Sequence, residues 1–326
     1  MARPGEDELI ARYFAPLAGP GGLGLLDDAA LVQAPPGREI VLTKDALVAG
    51  VHFFADDPPD AIARKALRVN LSDLAAKGAD PLGYALALAL PGDWTADWLA
   101  GFARGLGEDA AAYGMPLLGG DTVKTPGPLV ISVTALGSVP EGTMVRRTGV
   151  RAGDALYVTG TVGDAALGLR LRLGEQWLAG LGAAAKSHLL DRYLLPRPRN
   201  ALAAVLREFA TGAMDVSDGF AGDLAKMLRV SGVGARVELA RVPFSDAAVE
   251  AETLDKMSLD IALAGGDDYE IICSVPEARA GDFELGARAA GVDVTRIGVA
   301  VAVAGLRFFG GDGLERVLRQ GSFSHF

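Results

Sequence analysis

Strand-like and helix-like patterns of apolar residues take turns along the chain. "REIVLTKD" (38–45) reads as a strand, and "PDAIARKALRVNLSDLAAKG" (59–78) has apolar residues at helical spacing and a glycine stop. "YALALALP" (84–91) is a strand ending at proline, and "TADWLAGFARGLGEDAAAYG" (95–114) a second helix. "MPLLGG" (115–120) follows as a short buried strand and "PLVISVTALGSV" (128–139) as a long one. The polar, glycine-bearing stretch "EGTMVRRTGVRAGD" (141–154) breaks the periodicity and predicts a boundary near residue 150, giving domains 1–150 and 151–326. Beyond it "ALYVTGTVGDAALGLRLRL" predicts strand, glycine turn and helix. "NALAAVLREFA" and "AGDLAKMLRVSG" predict helices, and "ARVELARV", "YEIICSV" and "VTRIGVAVAV" predict strands. The expected fold is α/β, an N-terminal mixed sheet with helices layered on one face and a second α/β domain.

A chain of 326 residues, half of them apolar, can bury two cores. Its 31 Lys and Arg against 41 Asp and Glu give a net charge of −10, which repels phosphate backbones and argues against nucleic acid as a partner. The single cysteine, Cys273, excludes an internal disulfide and a cysteine-rich zinc site; three scattered histidines, His52, His188 and His325, argue against a histidine metal centre. The opening "MARPGEDELIARYF" has no signal-like apolar core, and no apolar run reaches about 18 residues, so a soluble cytoplasmic protein without membrane partners is expected.

Acidic residues recur where apolar runs end: Asp27 and Asp28 after "GLGLL", Asp45 closing "IVLTKD", Asp121 after twin glycines, Asp215 and Asp218 in "AMDVSDGF", Asp267 and Asp268 after a second glycine pair. Carboxylates at neighbouring strand ends would meet on one rim of a sheet, where α/β proteins bind ligands. Two of them about 4 Å apart repel by roughly 4 kcal/mol at an effective dielectric of 20, so such a cluster implies bound cations or protons. An all-oxygen set including Thr43 suits Mg²⁺. Period two puts Thr43 and Asp45 on one strand face and Lys44 on the other.

Each residue also has a plainer role. Asp after glycine can be a turn former, Asp73 can pair with Lys77 one helical turn on, and Ser217 or Asp218 can cap the next helix. Arg146 and Arg147 can bind phosphate or be a solvated pair, and His52 can be a core residue or a ligand. "VTGTVGDAALG" (158–168) has the look of a glycine phosphate loop, but the chain holds no G-x-x-x-x-G-K-[ST] and no protein-kinase motif set.

Taken in order, "LLDDAAL", "LTKDALVAGVHF", "VNLSDLAAKGADP", "LLGGDTV", "VRRTGVRAGD", "YVTGTVGDAALGL", "MDVSDGFAGDL", "ALAGGDDYEI" and "GSFSHF" closely resemble the thiamine-monophosphate kinase family. That family lies within the superfamily of aminoimidazole ribonucleotide synthetase and selenophosphate synthetase. The resemblance implies phosphorylation of thiamine monophosphate to thiamine diphosphate by ATP, with several Mg²⁺ ions. It also implies a homodimer whose N-terminal sheets pair into a barrel, and a C-terminal domain that closes over the nucleotide. Carried over position by position, it assigns metal binding to Asp28, Thr43, Asp45, Asp73, Asp121, Asp215 and Asp218. Nucleotide contacts fall on Tyr113, Gly120, Asp121, Arg147 and Ser217, and substrate contacts on His52, Asp267 and Phe323. Asp45, Asp121, Arg147 and Asp218 form the catalytic set, and the glycines before Asp121 give a nucleotide room to approach.

The chain departs from the family pattern at Leu26, where glycine is usual, at Lys44, where a small hydroxyl residue is usual, at Asp267, usually glutamate, and by one extra residue in the tail. The other readings are a sibling ATP-dependent synthetase and a non-catalytic nucleotide-binding regulator. Cys273, inside a predicted strand, is not where the cysteine-dependent siblings carry theirs.

Overall fold

A computed structural model describes residues 5–27 and 29–317, so Asp28 and Phe323 lie outside the described residues. The chain divides into two compact units, Met1–Leu74 with Ala79–Gly142, and Ala75–Gly78 with Thr143–Phe326.

The first unit opens with a short helix, α1 (Glu6–Leu9), and irregular helical turns, then runs β1 (Arg38–Val48), α2 (Pro59–Ala76), β2 (Asp80–Leu90), α3 (Ala96–Tyr113), β3 (Leu117–Lys124) and β4 (Val130–Pro140). The sheet order is β1-β4-β2-β3. β4 pairs antiparallel with β1 and β2, while β2 and β3 are parallel, the pairing that α3 makes possible as their crossover. Thr95 caps α3 by accepting the Trp98 N–H, and Gly114 ends it in the left-handed conformation. Gly105 lets α3 lie against the start of α2, since a Cβ there would come within 2.4 Å of the Asp60 carbonyl oxygen. The pair is fastened by Arg68, which gives two hydrogen bonds to Asp109 at 2.6 and 2.9 Å.

Alternation gives the sheet two unlike faces. Val41, Leu47, Tyr84, Leu86, Leu88, Ile131 and Val133 are buried. On the other face Leu42 is 63% exposed and the β2 positions are small, Ala85, Ala87 and Ala89.

Two boundaries differ from the sequence expectation. β1 continues to Val48, so Asp45 lies inside the strand, because all eleven residues pair with β4. β3 runs through the glycines to Lys124, so Asp121 also sits within a strand, paired with Ala87 of β2. Burial ends at Leu118, and the parallel ladder carries the polar continuation.

The second unit holds β5 (Ala155–Thr159), α4 (Asp164–Arg172), α5 (Ala183–Leu194), α6 (Ala203–Phe209), β6 (Gly212–Asp215), α7 (Phe220–Ser231), β7 (Gly234–Glu238), α8 (Asp246–Leu254), α9 (Ser258–Ala264), β8 (Ile271–Val275), α10 (Ala280–Ala289), β9 (Val294–Val301), β10 (Gly305–Phe309) and β11 (Glu315–Arg316). Its mixed sheet has the order β11-β10-β7-β9-β5-β8-β6. β5 and β8 are buried throughout, as unbroken apolar runs require when both faces are covered. One core packs Leu156, Val158 and Ile272 with α7; a second packs Tyr157, Cys273 and Phe283 with α6 and α10. A third cluster joins α4, α5, α8 and α9. The architecture is α/β with mixed sheets and helices, and no described helix is long and apolar enough to cross a membrane.

Candidate active site

In the first unit the predicted ligands divide. Thr43 and Asp45 share the β1 face that carries buried Val41 and Leu47, with Lys44 on the other, as period two requires. Asp73, half-buried between fully buried neighbours on α2, reaches this face: Thr43 Oγ1 donates to Asp73 Oδ2 at 2.5 Å. Lys77, the alternative partner of Asp73, donates to the Ala213 carbonyl at 2.8 Å. Burial, with the Asp73 charge adding to it and Lys44 opposing, pushes the Asp45 carboxyl up to about 6.

Two carboxylates and a hydroxyl form an all-oxygen donor set, which fits a hydrated Mg²⁺. Among the described residues no group of three or more His, Cys, Asp or Glu is arranged to hold a metal. Water and substrate oxygens would therefore have to complete any coordination.

Asp121 stands apart. β1 and β3 are opposite edges of the sheet, three strand spacings or roughly 14 Å across. The register aligns Asp45 with Val133, Leu86 and Gly120, and Asp121 with Ala87, Ser132 and Ala46. Neighbouring rows point to opposite faces, so Asp121 faces away from Asp45. It lines an open cavity of ≈570 Å³ with Asp27, Gly119, Gly120 and apolar residues of the N-terminal turns, among them Ile10 and Phe14. Gly120 is demanded by the sheet itself: a Cβ would fall 2.0 Å from the Leu86 carbonyl oxygen, whereas one at Gly119 would meet nothing within 4 Å. Tyr113, half-buried at the end of α3, lies under the Arg68 guanidinium, 5.9 Å from its ring centre, and is not among the residues lining this cavity. His52 lies in the turn after β1, its Nδ1 accepting the Val48 N–H at 3.0 Å, half-buried and outside the core.

In the second unit Asp215 ends β6, nearly buried, and Ser217 and Asp218 follow in the loop to α7. Neither caps that helix. Its cap residue is Gly219, and the loop is held instead from one turn inside by Asp223 Oδ2, which accepts the N–H of Ser217 at 3.0 Å and of Asp218 at 2.8 Å. Lys226 gives hydrogen bonds to both Asp223 and Asp218. Burial pushes Asp223 up, with Lys226 and the N–H bonds opposing. Asp267 and Tyr269 both adopt positive φ, 74° and 51°, and donate their N–H groups to the carbonyls of Ser217 and Val216. Asp267 is therefore fixed beside the Ser217 loop. Arg147, exposed, opens a single helical turn.

Sequence reasoning named Asp268 only among the acids at the ends of apolar runs, without a role of its own, and missed Glu270. Asp268 is 1% exposed, and its carboxylate accepts the N–H groups of Gly163 at 2.6 Å and Ala165 at 3.2 Å, filling the start of α4. Burial pushes its carboxyl well up, against these bonds and Arg192. The glycine loop 158–168 thus directs these N–H groups to a protein carboxylate rather than a phosphate. Glu270, fully buried, accepts from Arg192, Arg199 and Thr159.

Residues 26–139 match AIR synthase related protein, N-terminal domain, and residues 151–311 its C-terminal domain. A thiamine-monophosphate kinase from Caulobacter vibrioides is 46% identical over 94% of this chain and 86% of its own length. The chain belongs to the thiamine-monophosphate kinase family. The crystal structure of a thiamine-monophosphate kinase from Stenotrophomonas maltophilia K279a superposes with a TM-score of 0.81 at 39% identity, covering 90% of this chain and 91% of that one. A structure of AaThiL complexed with AMPPCP and TMP superposes with a TM-score of 0.79 at 29% identity, covering 100% and 99%.

Proposed function

We propose that the chain phosphorylates thiamine monophosphate with ATP to give thiamine diphosphate and ADP. The observation that carries this reading is 46% identity to a thiamine-monophosphate kinase over 94% of the chain. A phosphate monoester has its second pKa near 6 and is mostly dianionic at about pH 7, so its own oxygen attacks the γ-phosphorus in line and needs no general base. The bond from that phosphorus to the β-bridging oxygen breaks and ADP leaves. No phosphoenzyme forms, and the carboxylates are not nucleophiles.

Thr43, Asp45 and Asp73 would hold Mg²⁺ on the first unit, with Asp28, Asp121, Asp215 and Asp218 serving further ions. When bound, Mg²⁺ neutralises and aligns the phosphate oxygens. Gly120, Tyr113 and Ser217 would contact the nucleotide and Arg147 its phosphate charge, while His52, Asp267 and Phe323 would contact the substrate. The first unit would bind ATP and dimerise, and the second would close the site.

Two observations support a homodimer with its sheets paired into a barrel. One sheet face is open, with Leu42 63% and Val123 49% exposed. Asp45 and Asp121 lie on opposite edges, so Asp121 of a second copy could join the Asp45 cluster of the first. We place the enzyme in the cytoplasm, with the ATP it consumes.

The test is incubation with MgATP and either thiamine monophosphate or formylglycinamidine ribonucleotide. Thiamine diphosphate and ADP formed only with the former are expected. Product from the latter would mark a sibling synthetase, and nucleotide binding without turnover a regulator.

A further inference from the structure

One lysine ties the loop between β6 and α7 to the helix that follows it. Lys226, in the second turn of α7, donates from Nζ to Asp218 Oδ2 at 2.5 Å and to Asp223 Oδ1 at 3.0 Å. The Asp223 side chain is 1% exposed, whereas those of Asp218 and Lys226 are 39% and 31% exposed. On its other oxygen Asp223 accepts the N–H groups of Ser217 and Asp218. Among the described residues the Asp218 carboxylate has no hydrogen-bond partner besides Lys226.

The bridge therefore has a fixed arm and a loose one. Breaking the Asp223 arm would leave a buried carboxylate oxygen without a donor, which is costly. Breaking the Asp218 arm releases both groups to water, and a partly exposed ion pair resists separation by no more than about a factor of five. The ammonium head rotates and carries a donor to spare, so Nζ can leave Asp218 while it keeps Asp223.

Charge and size decide what takes its place. A cation of the Mg²⁺ type sits about 2.1 Å from a carboxylate oxygen. The Lys226 nitrogen already stands 2.5 Å from Asp218 Oδ2, so the two compete for one side of that oxygen. A monovalent ion carries no more charge than the ammonium and must overcome its tether, which keeps the local concentration of ammonium at Asp218 high. A divalent ion carries twice the charge.

We propose that Lys226 is a tethered counter-ion for the Ser217–Asp218 loop: it holds Asp218 while no metal is bound and gives up Asp218, but not Asp223, to a divalent cation. The loop keeps its shape in both states, because Asp223 grips its N–H groups throughout. Lys226 thus stabilises the cation-free protein and weakens its hold on the ion. The inference rests on Asp218 serving as a metal ligand, and its test separates the two.

The probe is Mn²⁺, which suits the same carboxylate and water ligands as Mg²⁺, with the free ion counted by electron paramagnetic resonance in the full chain without nucleotide. Lys226→Met keeps the alkyl chain and removes the ammonium. It should bind Mn²⁺ about 3- to 10-fold more tightly than the wild type, since the ion has no cation to displace or to sit beside. In EDTA it should melt below the wild type, and saturating Mn²⁺ should narrow the difference. In an Asp218→Asn background the same substitution should change Mn²⁺ affinity by less than about 2-fold. Lys226→Gln, which still donates to Asp223, should show the same tightening if the methionine variant does not fold. Variants that bind Mn²⁺ no more tightly than the wild type overturn the exchange, as does tightening that survives in Asp218→Asn, the mark of a charge acting through space. Equal Mn²⁺ binding by the wild type and Asp218→Asn removes Asp218 as a ligand and the exchange with it. The expected binding in a protein that makes no thiamine diphosphate keeps the exchange and removes the kinase reading.

Discussion

Replacing Asp45 with Asn should stabilise the cation-free protein while abolishing its chemistry. Burial and Asp73 hold the Asp45 carboxyl at about 6, against 3.8 for an unperturbed group. Below about pH 4 the group is protonated folded or unfolded, and its contribution is at its most favourable. Between about pH 4 and 6 the folded state binds more protons than the unfolded state, so stability falls as pH rises, and above about 6 the full penalty remains. At ~1.36 kcal/mol per pH unit the gap is worth about 3 kcal/mol. Asp45 is only half-buried, so solvent screening reduces the expected penalty to about 1–3 kcal/mol. The asparagine side chain keeps the shape of the carboxylate and removes its charge.

In EDTA near pH 7.5, Asp45→Asn should therefore melt several degrees above the wild type, and the difference should vanish near pH 4. Added Mg²⁺ should stabilise the wild type more than the variant, by mass action on the folded state. Turnover should drop about 100-fold or more, the scale for a lost charge-stabilising partner. Parallel thermal melts of both proteins across pH 4–8, with and without Mg²⁺, cancel the carboxylates they share. A variant that melts lower than the wild type in EDTA at pH 7.5, or a difference independent of pH, would refute the reasoning.

Gly120→Ala should cost about 3 kcal/mol or more, beyond ordinary overpacking, because the new Cβ meets the Leu86 backbone at 2.0 Å; Gly119→Ala should leave urea stability nearly unchanged and expose any ligand effect through KM for ATP. Asp268→Ala leaves the N–H groups of Gly163 and Ala165 without their acceptor, so urea denaturation should show a loss of about 2–5 kcal/mol, and any surviving enzyme a raised KM for thiamine monophosphate as Asp267 loosens. If each site combines Asp45 of one copy with Asp121 of the other, unfolding and refolding Asp45→Asn and Asp121→Asn together should restore roughly a quarter of wild-type activity, since half the dimers are mixed and each has one intact site. No recovery would place both acids of a site in one chain.

The period-two and helical patterns located the strands and helices of the first unit because a half-buried sheet and amphipathic helices write their burial into local spacing. The face shared by Thr43 and Asp45 followed from that same alternation. Strand ends were harder: pairing with β2 carries β3 to Lys124 through glycines and mostly polar residues, and pairing with β4 carries β1 past the charged Lys44 and Asp45 to Val48. The separation of Asp45 from Asp121 was beyond local reading too, because strand order, not strand pattern, sets it.

Asp267 and Asp268 show the limit most sharply. As neighbours after one glycine pair they are chemically equivalent in sequence, yet the turn leaves Asp267 half-exposed and drives Asp268 into the interior. The positive φ values at 267 and 269 are the local cost, roughly 1–2 kcal/mol each for a side-chain-bearing residue. What offsets it is distant, for the N–H groups that donate to the Asp268 carboxylate belong to a helix start 103 to 105 residues earlier. A carboxylate's role is set by its donors, and here the donors that hold the Asp267 turn in shape come from α4 and from the Arg192 guanidinium, 3.3 Å from the Asp268 carbonyl.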